Sequence, residues 1–314
     1  MRHWGPAESR TRLFYFKETI MELKEPRSYD GQIEKLKSHG ILVNDEYNAK
    51  DILLKINYYR LMGYSLQFRK SANDSDFIED TTFDKIYKIY KFDERLRDIL
   101  RRYIEIAEVF YRSQISYGFS MSKCLDAPHD QHYDENNYYK KTEFNDVKNH
   151  LEKDKGYYKD SLIVKHHKHK YNDKMPLWVM VELLSFSDIS KLFSCMYISE
   201  QNTIANAVGI SAKTLENHLH CLSVLRNKCA HAARLYNTKF YPAARFNSQF
   251  LRSNPNIRND TLFSYILILM KRLPGKDMKQ ALANDIYTVI EEYKNDIDLS
   301  LIGFPNNYSE ILNS

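Results

Sequence analysis

An arginine and a histidine stand five residues apart in the segment Arg226-Asn-Lys-Cys-Ala-His231. An arginine guanidinium presents a planar fork that suits a phosphate, and a histidine gains or loses a proton near neutral pH. The two side chains fit phosphodiester cleavage, in which His231 moves a proton and Arg226 stabilises the charge that develops on phosphorus. If the phosphodiester belongs to RNA, its 2′-hydroxyl supplies the nucleophile. Asn227 stands four residues before His231, so on a helix its amide is placed to orient the imidazole.

The spacing of this pair is compatible with a helix but is not specific. Five residues of an ideal helix separate two side chains by about 140°, so Arg226 and His231 would flank one groove. The same pattern also fits a surface arginine near a histidine that is hydrogen-bonded in the core. Spacing alone therefore leaves both interpretations open.

The surroundings of the pair are strongly basic. The chain has a formal net charge of +5, but the segment 217–259 contains seven lysines and arginines and neither Asp nor Glu. Such a concentration of positive charge is typical of a surface that binds a polyanion. We expect RNA contacts from four of these residues: Lys228, Arg234, Lys239 and Arg245. The alternative is a cluster whose acidic partners come from elsewhere in the fold.

Other clusters carry weaker signals. Four cysteines in 314 residues do not make a disulfide framework. Neither the cysteines nor the histidines at 166–169, 218 and 220 have the ligand spacing of a zinc site, so no metal is expected. The run 165–170 fits RNA backbone contacts and a solvated loop equally well. One aromatic group fits base stacking, although an aromatic core is its commoner role: Tyr58, Tyr59, Arg60 and Tyr64.

The composition favours helices. Nine glycines and eight prolines are few for 314 residues. An all-β chain needs more of both, because they form its many tight turns. Apolar positions at helical spacing predict a long helix over 83–119, a helix over 211–236 that carries the motif, and closing helices over 261–273 and 278–297. The longest strongly apolar run is too short to cross a membrane, and the first 25 residues do not resemble a secretory signal. A cytoplasmic protein without a membrane partner is therefore expected.

We expect three parts along the chain. These are a leader or loose helix over 1–26, a small helical N-terminal unit over 27–76 and a larger helical domain over 77–314. In the N-terminal unit, Asp30 and the segment 44–46 are predicted helix caps, and one helix is predicted to carry apolar positions from Ile52 to Met62. The stretch 121–140 is predicted to be irregular, 153–175 is polar and basic, and 242–260 is predicted to be a polar loop.

Six segments, in order, carry a resemblance to a known family. They lie at 32–41, 56–64, 92–97, 104–115, 176–193 and 215–237, and they include Phe92-Asp-Glu-Arg-Leu-Arg97 and Leu225-Arg-Asn-Lys-Cys-Ala-His231. In these segments the chain resembles the Abi family of bacterial abortive-infection proteins (AbiD/AbiF-like), which belongs to the HEPN superfamily. No single segment is distinctive, but six in the family's order are specific.

The resemblance implies an all-α, HEPN-like helical bundle and a metal-independent endoribonuclease that needs no cofactor. It implies supporting roles for Glu108 and Arg112, although an ordinary helix-surface ion pair has the same four-residue spacing. It also implies a homodimer in which two motifs face each other across a composite cleft. The chain departs from the family at Ala232, where a second histidine often stands, and this leaves the Arg226/His231 pair intact.

The implied biology is defence against bacteriophage by cleavage of RNA, with a small RNA or an antitoxin protein as a further partner. Two other functions remain open at this point. One is a non-catalytic RNA-binding or sensor module, because a basic cleft serves binding as well as cleavage. The other is a toxin whose partner protein masks or modifies the motif.

Overall fold

The computed structural model describes residues 23–71 and 74–313. In these ranges the chain forms α-helices and short 3-10 helices, with isolated β-bridges but no β-sheet. The α-helices are α1 (Tyr29–Ser38), α2 (Glu46–Lys55), α3 (Tyr58–Met62), α4 (Phe83–Lys123), α5 (Lys141–Tyr157), α6 (Leu162–Lys170), α7 (Leu177–Leu183), α8 (Phe186–Cys195), α9 (Ile198–Ala207), α10 (Ala212–Ala230), α11 (Ser248–Ser253), α12 (Leu262–Arg272), α13 (Lys276–Tyr293) and α14 (Tyr308–Asn313). The predicted all-α fold class is confirmed.

Helix α4 is the central element of the bundle. Its 41 residues extend for about 60 Å at 1.5 Å per residue. Thr82 caps it by accepting a hydrogen bond from the backbone N–H of Lys85 at 3.1 Å. Apolar residues at helical spacing give it a buried stripe, against which α7, α9, α10, α12 and α13 pack. The predicted long helix is therefore present and runs four residues past 119.

Helix α10 carries the motif arginine. Ser211 caps it as expected, and a fully buried stripe faces α4, α8, α9 and α12: Leu215, Leu219, Leu222, Leu225 and Cys229. The helix ends at Ala230, six residues before the predicted end, so His231 is its C-terminal cap. Ala232 then adopts a positive φ of 50°, which turns the chain away from the helix axis.

A buried polar cluster explains this early end. The Asp93 carboxylate accepts hydrogen bonds from the backbone N–H groups of Leu235 at 3.1 Å and Tyr236 at 2.9 Å. It also accepts one from the Tyr64 hydroxyl at 2.7 Å and pairs with Arg97 one turn along α4. In a continuing helix, the backbone N–H groups of Leu235 and Tyr236 would donate to carbonyls one turn earlier. Here they donate to the Asp93 carboxylate instead, and the helix ends at the motif.

The N-terminal unit is built from α1, α2 and α3. Asp45 caps α2 as expected, but Ser28 rather than Asp30 caps α1. The single helix predicted from Ile52 to Met62 is wrong, because Asn57 caps a new helix, α3, after an extended residue at Ile56. The division of the chain at residue 76 stays a prediction, and most of the predicted leader at 1–26 lies outside the described residues.

The closing helices α12 and α13 match their prediction, with α13 beginning two residues and ending four residues early. The predicted polar loop at 242–260 contains a helix, α11, and the polar, basic stretch 153–175 contains the end of α5 and all of α6. None of the helices in the described ranges has both the length and the apolar character needed to cross a membrane.

Candidate active site

The motif arginine faces a cleft at the C-terminal end of α10. The cleft has a volume of about 430 Å³ and opens between α4, α7 and α10. Three arginines and three glutamates line it: Arg101, Glu105, Glu108, Arg112, Glu182 and Arg226. The structure thus brings the predicted supporting pair of α4 to the predicted catalytic arginine of α10.

Glu108 lies between the two motif-related arginines. Its Oε1 accepts a hydrogen bond from Nη2 of Arg112, and its Oε2 lies 3.5 Å from Nε of Arg226. Arg112 also donates from Nη1 to a backbone carbonyl of α7, at Val181. Only 11% of the Glu108 side chain is exposed, against 39% of Arg226. The carboxylate therefore holds Arg226 at Nε, and within the described ranges Nη2 of the guanidinium has no partner and is available to a ligand.

Asn227 is directed towards α8 rather than towards the motif histidine. Its Nδ2 donates to Oγ of Ser187 at 3.0 Å, and its Oδ1 lies 3.5 Å from Nη1 of Arg226. The expected contact with the imidazole of His231 is not formed, because the amide is already used between α8 and the arginine. Asn227 therefore positions the arginine side of the motif.

His231 lies outside the cleft that Arg226 faces. Its backbone N–H donates to the carbonyl of Asn227 at 3.0 Å, so the residue continues the helical path and keeps the offset of about 140° from Arg226. Its side chain is exposed and makes no hydrogen bond within the described ranges. The imidazole is therefore free to meet a ligand, but a single chain does not bring it into the arginine cleft.

Most cations of the segment 217–259 lack an acidic partner. Arg226 pairs with Glu108, and Arg258 pairs with Asp260 at 3.2 Å. No carboxylate of the described residues lies within ion-pair distance of the other five: Lys228, Arg234, Lys239, Arg245 and Arg252. The positive charge of this segment is therefore mostly uncompensated in the folded chain.

The four residues predicted to bind RNA do not form one surface. Lys228 lies over the ring of Phe240, 5.2 Å from its centroid, and Lys239 is exposed. Arg245 lies near the start of α10, which the length of that helix separates from the motif. Arg234 lines a groove beside α1 and α3. Among these four residues, Arg234 is therefore the one that lines a concave surface next to the motif.

We call this second surface the N-terminal groove. It has a volume of about 810 Å³, and its lining contains neither Asp nor Glu but five lysines and arginines: Lys24, Lys35, Arg60, Arg69 and Arg234. Arg60 donates to the carbonyl of Ala232, the residue after the motif histidine. Nη1 of Arg234 is buried without a hydrogen-bond partner. The groove is therefore positively charged and begins where the motif ends.

The aromatic residues of this region separate into two roles. Tyr64 is buried and bonded to Asp93, as the aromatic-core interpretation predicts. Tyr59 is 86% exposed and lines the N-terminal groove, with the partly buried Tyr58 next to it. An exposed tyrosine ring in a basic groove offers a stacking surface for an unpaired base.

The cysteines are packing residues. All four are buried, and burial raises the pKa of Cys221 and of Cys229 to about 12. Within the described ranges no three His, Cys, Asp or Glu side chains are grouped so that they could hold a metal ion.

Sequence reasoning missed the pair Asp93 and Arg97, which fixes the backbone after the motif. A signal was present, since the two charges occupy positions that continue the apolar stripe of Leu100 and Ile104 along α4. Charged residues on a buried stripe require partners. The partners come from 235 and 236, far along the chain, and could not be named from the pattern.

A comparison with protein families identifies the chain. The family described as Abi-like protein matches residues 51–237, more than half of the sequence. The chain belongs to the Abi-like protein family. The match contains the cleft residues Glu108, Arg112 and Arg226 as well as His231. Comparisons with curated proteins and with solved structures give no match. The family assignment points to abortive-infection defence as the role of this Abi-like protein.

Proposed function

We propose that this Abi-like protein is a metal-independent endoribonuclease of the HEPN type that acts in defence against bacteriophage. The observation that carries the proposal is the position of Arg226, which is held by Glu108 with its open edge in a cleft. Arg112 and the free imidazole of His231 complete the set of groups that the family resemblance implies. The N-terminal groove supports the proposal, because it offers a cationic path for a single strand next to the motif.

The proposed reaction is internal transfer of a phosphodiester. The 2′-oxygen forms a bond to phosphorus while the bond from phosphorus to the 5′-oxygen breaks. His231 exchanges the protons that leave the 2′-hydroxyl and reach the 5′-oxygen. Arg226 stabilises the extra negative charge on the non-bridging oxygens. The products are a 2′,3′-cyclic phosphate and a 5′-hydroxyl end, and the cyclic phosphate can hydrolyse to a 3′-phosphate.

We infer that the working enzyme is a homodimer. One chain leaves His231 outside the arginine cleft, so a second chain is needed to bring an imidazole to an arginine. An exposed apolar stripe of α4 supports this, since Val109 lines the cleft while Tyr117 and Met121 are 67% and 50% exposed along the same helix. Trp178 of the adjacent α7 is 58% exposed. Large exposed apolar side chains on two neighbouring helices are a reason to expect a protein partner there.

Cleavage of a labelled single-stranded RNA in EDTA tests the chemistry. We expect the wild-type protein to cleave this RNA. His231→Ala should lower the cleavage rate about 10²–10⁴-fold, which is the usual contribution of a positioned acid or base. Arg226→Ala should lose about 10²–10³-fold. His220→Ala and Arg252→Ala are matched controls, because both side chains are exposed and lie outside the cleft. Cleavage that EDTA abolishes, or that survives in His231→Ala, contradicts the mechanism.

Mixed dimers test the shared site. If each site takes Arg226 from one chain and His231 from the other, a dimer of Arg226→Ala with His231→Ala has one intact site. An equal mixture of the two inactive variants should then regain about a quarter of the wild-type rate on statistical pairing. Tyr117→Lys should yield an inactive monomer, whereas Tyr287→Lys, on the exposed face of α13, should stay active. No recovery in the mixture would mean that the site is not shared between chains.

An RNA-binding module without catalysis is the second candidate. It is favoured by the absence of acidic residues from the lining of the N-terminal groove, because a basic groove serves binding as well as cleavage. Tight RNA binding that weakens steeply with salt, with no cleavage products, would support this function over the first.

A further inference from the structure

A second basic pocket lies at the opposite end of α10 from the motif. It has a volume of about 480 Å³ and is bounded by the start of α10, the end of α12 and the first turns of α13. Its lining contains four cations and neither Asp nor Glu: Arg245, Lys271, Arg272 and Lys279. None of the four has a carboxylate within ion-pair distance among the described residues. We call this site the α10 pocket.

The cations of the α10 pocket are close enough to disfavour one another. Burial lowers the pKa of Lys271, and the charges of Arg272 and Lys279 lower it further. Lys271 lies over the ring of Phe250, 4.5 Å from the centroid, rather than beside an anion. Like charges held together in this way lack the counterion that would stabilise them.

Two buried polar atoms in this pocket have no partner. Nε of Arg272 and Nδ1 of His218 make no hydrogen bond, and they are two of the five such side-chain atoms in the described ranges. The Arg272 guanidinium is otherwise bonded to the hydroxyl of Tyr111. Buried polar groups are nearly always satisfied in folded proteins. Both residues line the α10 pocket, so its wall contains buried polar groups that the described chain leaves unpaired beside the four cations.

His218 forms a buried, uncharged part of the pocket wall. Only 2% of this residue is exposed, and its Nε2 lies 2.7 Å from the carbonyl of Arg245. Because a carbonyl only accepts, Nε2 carries the hydrogen, and Nδ1 of the neutral ring accepts one. Burial lowers the pKa of His218 to about 4, so the ring is neutral at physiological pH. His218 therefore adds no positive charge, and the charge of the pocket comes from its four lysines and arginines.

The start of α10 adds a further attraction for an anion. Ser211 caps the helix, and the N–H groups of the first turn carry the positive end of the helix dipole. A phosphate monoester suits this charge. Its second ionisation lies near pH 6, so at neutral pH it is largely a dianion and balances more of the four cations than a phosphodiester, which carries a single negative charge.

We propose that the α10 pocket binds a phosphate monoester of a nucleotide, separately from the cleavage motif. Phe246 and Phe250 line the pocket beside the cations and offer an apolar surface to the base. The monoester comes from one of two sources, a free nucleotide or the 5′-phosphate end of an RNA. Since the site is built from residues outside the Arg226 cleft, it does not depend on the proposed cleavage reaction.

Calorimetric titration of the full chain tests the proposal, with His231→Ala used wherever RNA is the probe. We expect the protein to bind AMP and to bind adenosine and 3′,5′-cyclic AMP at least tenfold more weakly, because neither offers a monoester. Lys279→Gln should weaken AMP binding at least tenfold. Lys276→Gln is the matched control, because it removes an exposed lysine of the same helix that does not line the pocket.

Two RNA probes distinguish the sources. A short RNA with a 5′-phosphate that binds more tightly than its 5′-hydroxyl counterpart, with a difference that Lys279→Gln removes, assigns the pocket to an RNA end. Equal binding of the two RNAs together with tight binding of AMP assigns it to a free nucleotide. Absence of AMP binding at millimolar concentration together with equal binding of the two RNAs would overturn the proposal. Equal binding of AMP and cyclic AMP, or affinities unchanged in Lys279→Gln, would overturn it as well. RNA cleavage by the wild type is measured separately and does not enter these outcomes.

Discussion

Replacement of Asp93 by asparagine should be one of the most damaging single-atom changes in this protein. The carboxylate is fully buried and accepts four hydrogen bonds, three of them at Oδ2, from Tyr64, Arg97 and the backbone N–H of Leu235. An asparagine keeps one acceptor and places an amide N–H₂ among donors. It also leaves Arg97, only 5% exposed, without its anion. Breaking a buried ion pair from one side costs about 3–5 kcal/mol, against a total stability of about 5–15 kcal/mol.

Urea unfolding followed by circular dichroism measures this loss. Asp98→Asn is the matched control, since Asp98 lies on the same helix and pairs with Arg101 at 2.8 Å but has 58% of its side chain exposed. The control should cost less than about 1 kcal/mol. Hydrogen exchange should show faster exchange at the Leu235 and Tyr236 amides in Asp93→Asn alone. If both variants lose the same small free energy, the buried cluster does not fix the segment after the motif.

Three further predictions concern packing, pH and the thiols. Gly118→Ala should lower the free energy of unfolding in urea by about 1–3 kcal/mol, because the new Cβ would lie 2.5 Å from Cγ1 of Ile204. Gly156→Ala is the control and should be neutral or stabilising, because the space around Gly156 is open. Equal effects of the two substitutions would refute this packing. Burial lowers the pKa of His218 to about 4, so the folded chain binds fewer protons than the unfolded chain below pH ~6.5 and should lose about 3 kcal/mol of stability between pH ~6.5 and 4. His218→Gln should flatten that loss, and an unchanged pH profile would argue against a buried neutral ring. A thiol reagent at pH ~8 should label none of the cysteines in the folded protein and all of them in urea, since burial raises each pKa, and rapid labelling of the folded protein would contradict this.

The parts of the fold that follow local periodicity could be predicted from the sequence. The stripes of α4 and α10 repeat at helical spacing because one face of each helix is buried. Helix α5 was missed because its buried residues Phe144, Val147 and Leu151 are few among many polar ones. The end of α10 was misplaced because it is set by Asp93, whose hydrogen bonds to 235 and 236 span more than 140 residues. Contacts of that range leave no local pattern.

The candidate site was predictable in its members but not in its arrangement. Glu108 and Arg226 were named together through the family resemblance, and the structure places them 3.5 Å apart. His231 keeps its offset of about 140° from Arg226, but the cleft between α4, α7 and α10 that excludes it forms only in the folded chain. The α10 pocket could not be predicted from the sequence, because its cations come from α12, α13 and a loop, which meet only in the folded chain.

The continuous helix α4 limits how the length of this protein can vary in evolution. Asp93 and Glu108 lie fifteen residues apart on it, which corresponds to about 22 Å along the axis and about 60° around it. One residue inserted between them would turn Glu108 by about 100° away from Arg226 and leave the Asp93 cluster unchanged. Relatives that keep both contacts should therefore keep this interval constant. Their lengths should vary in the connections between helices, where an added residue does not change the direction of the side chains on α4.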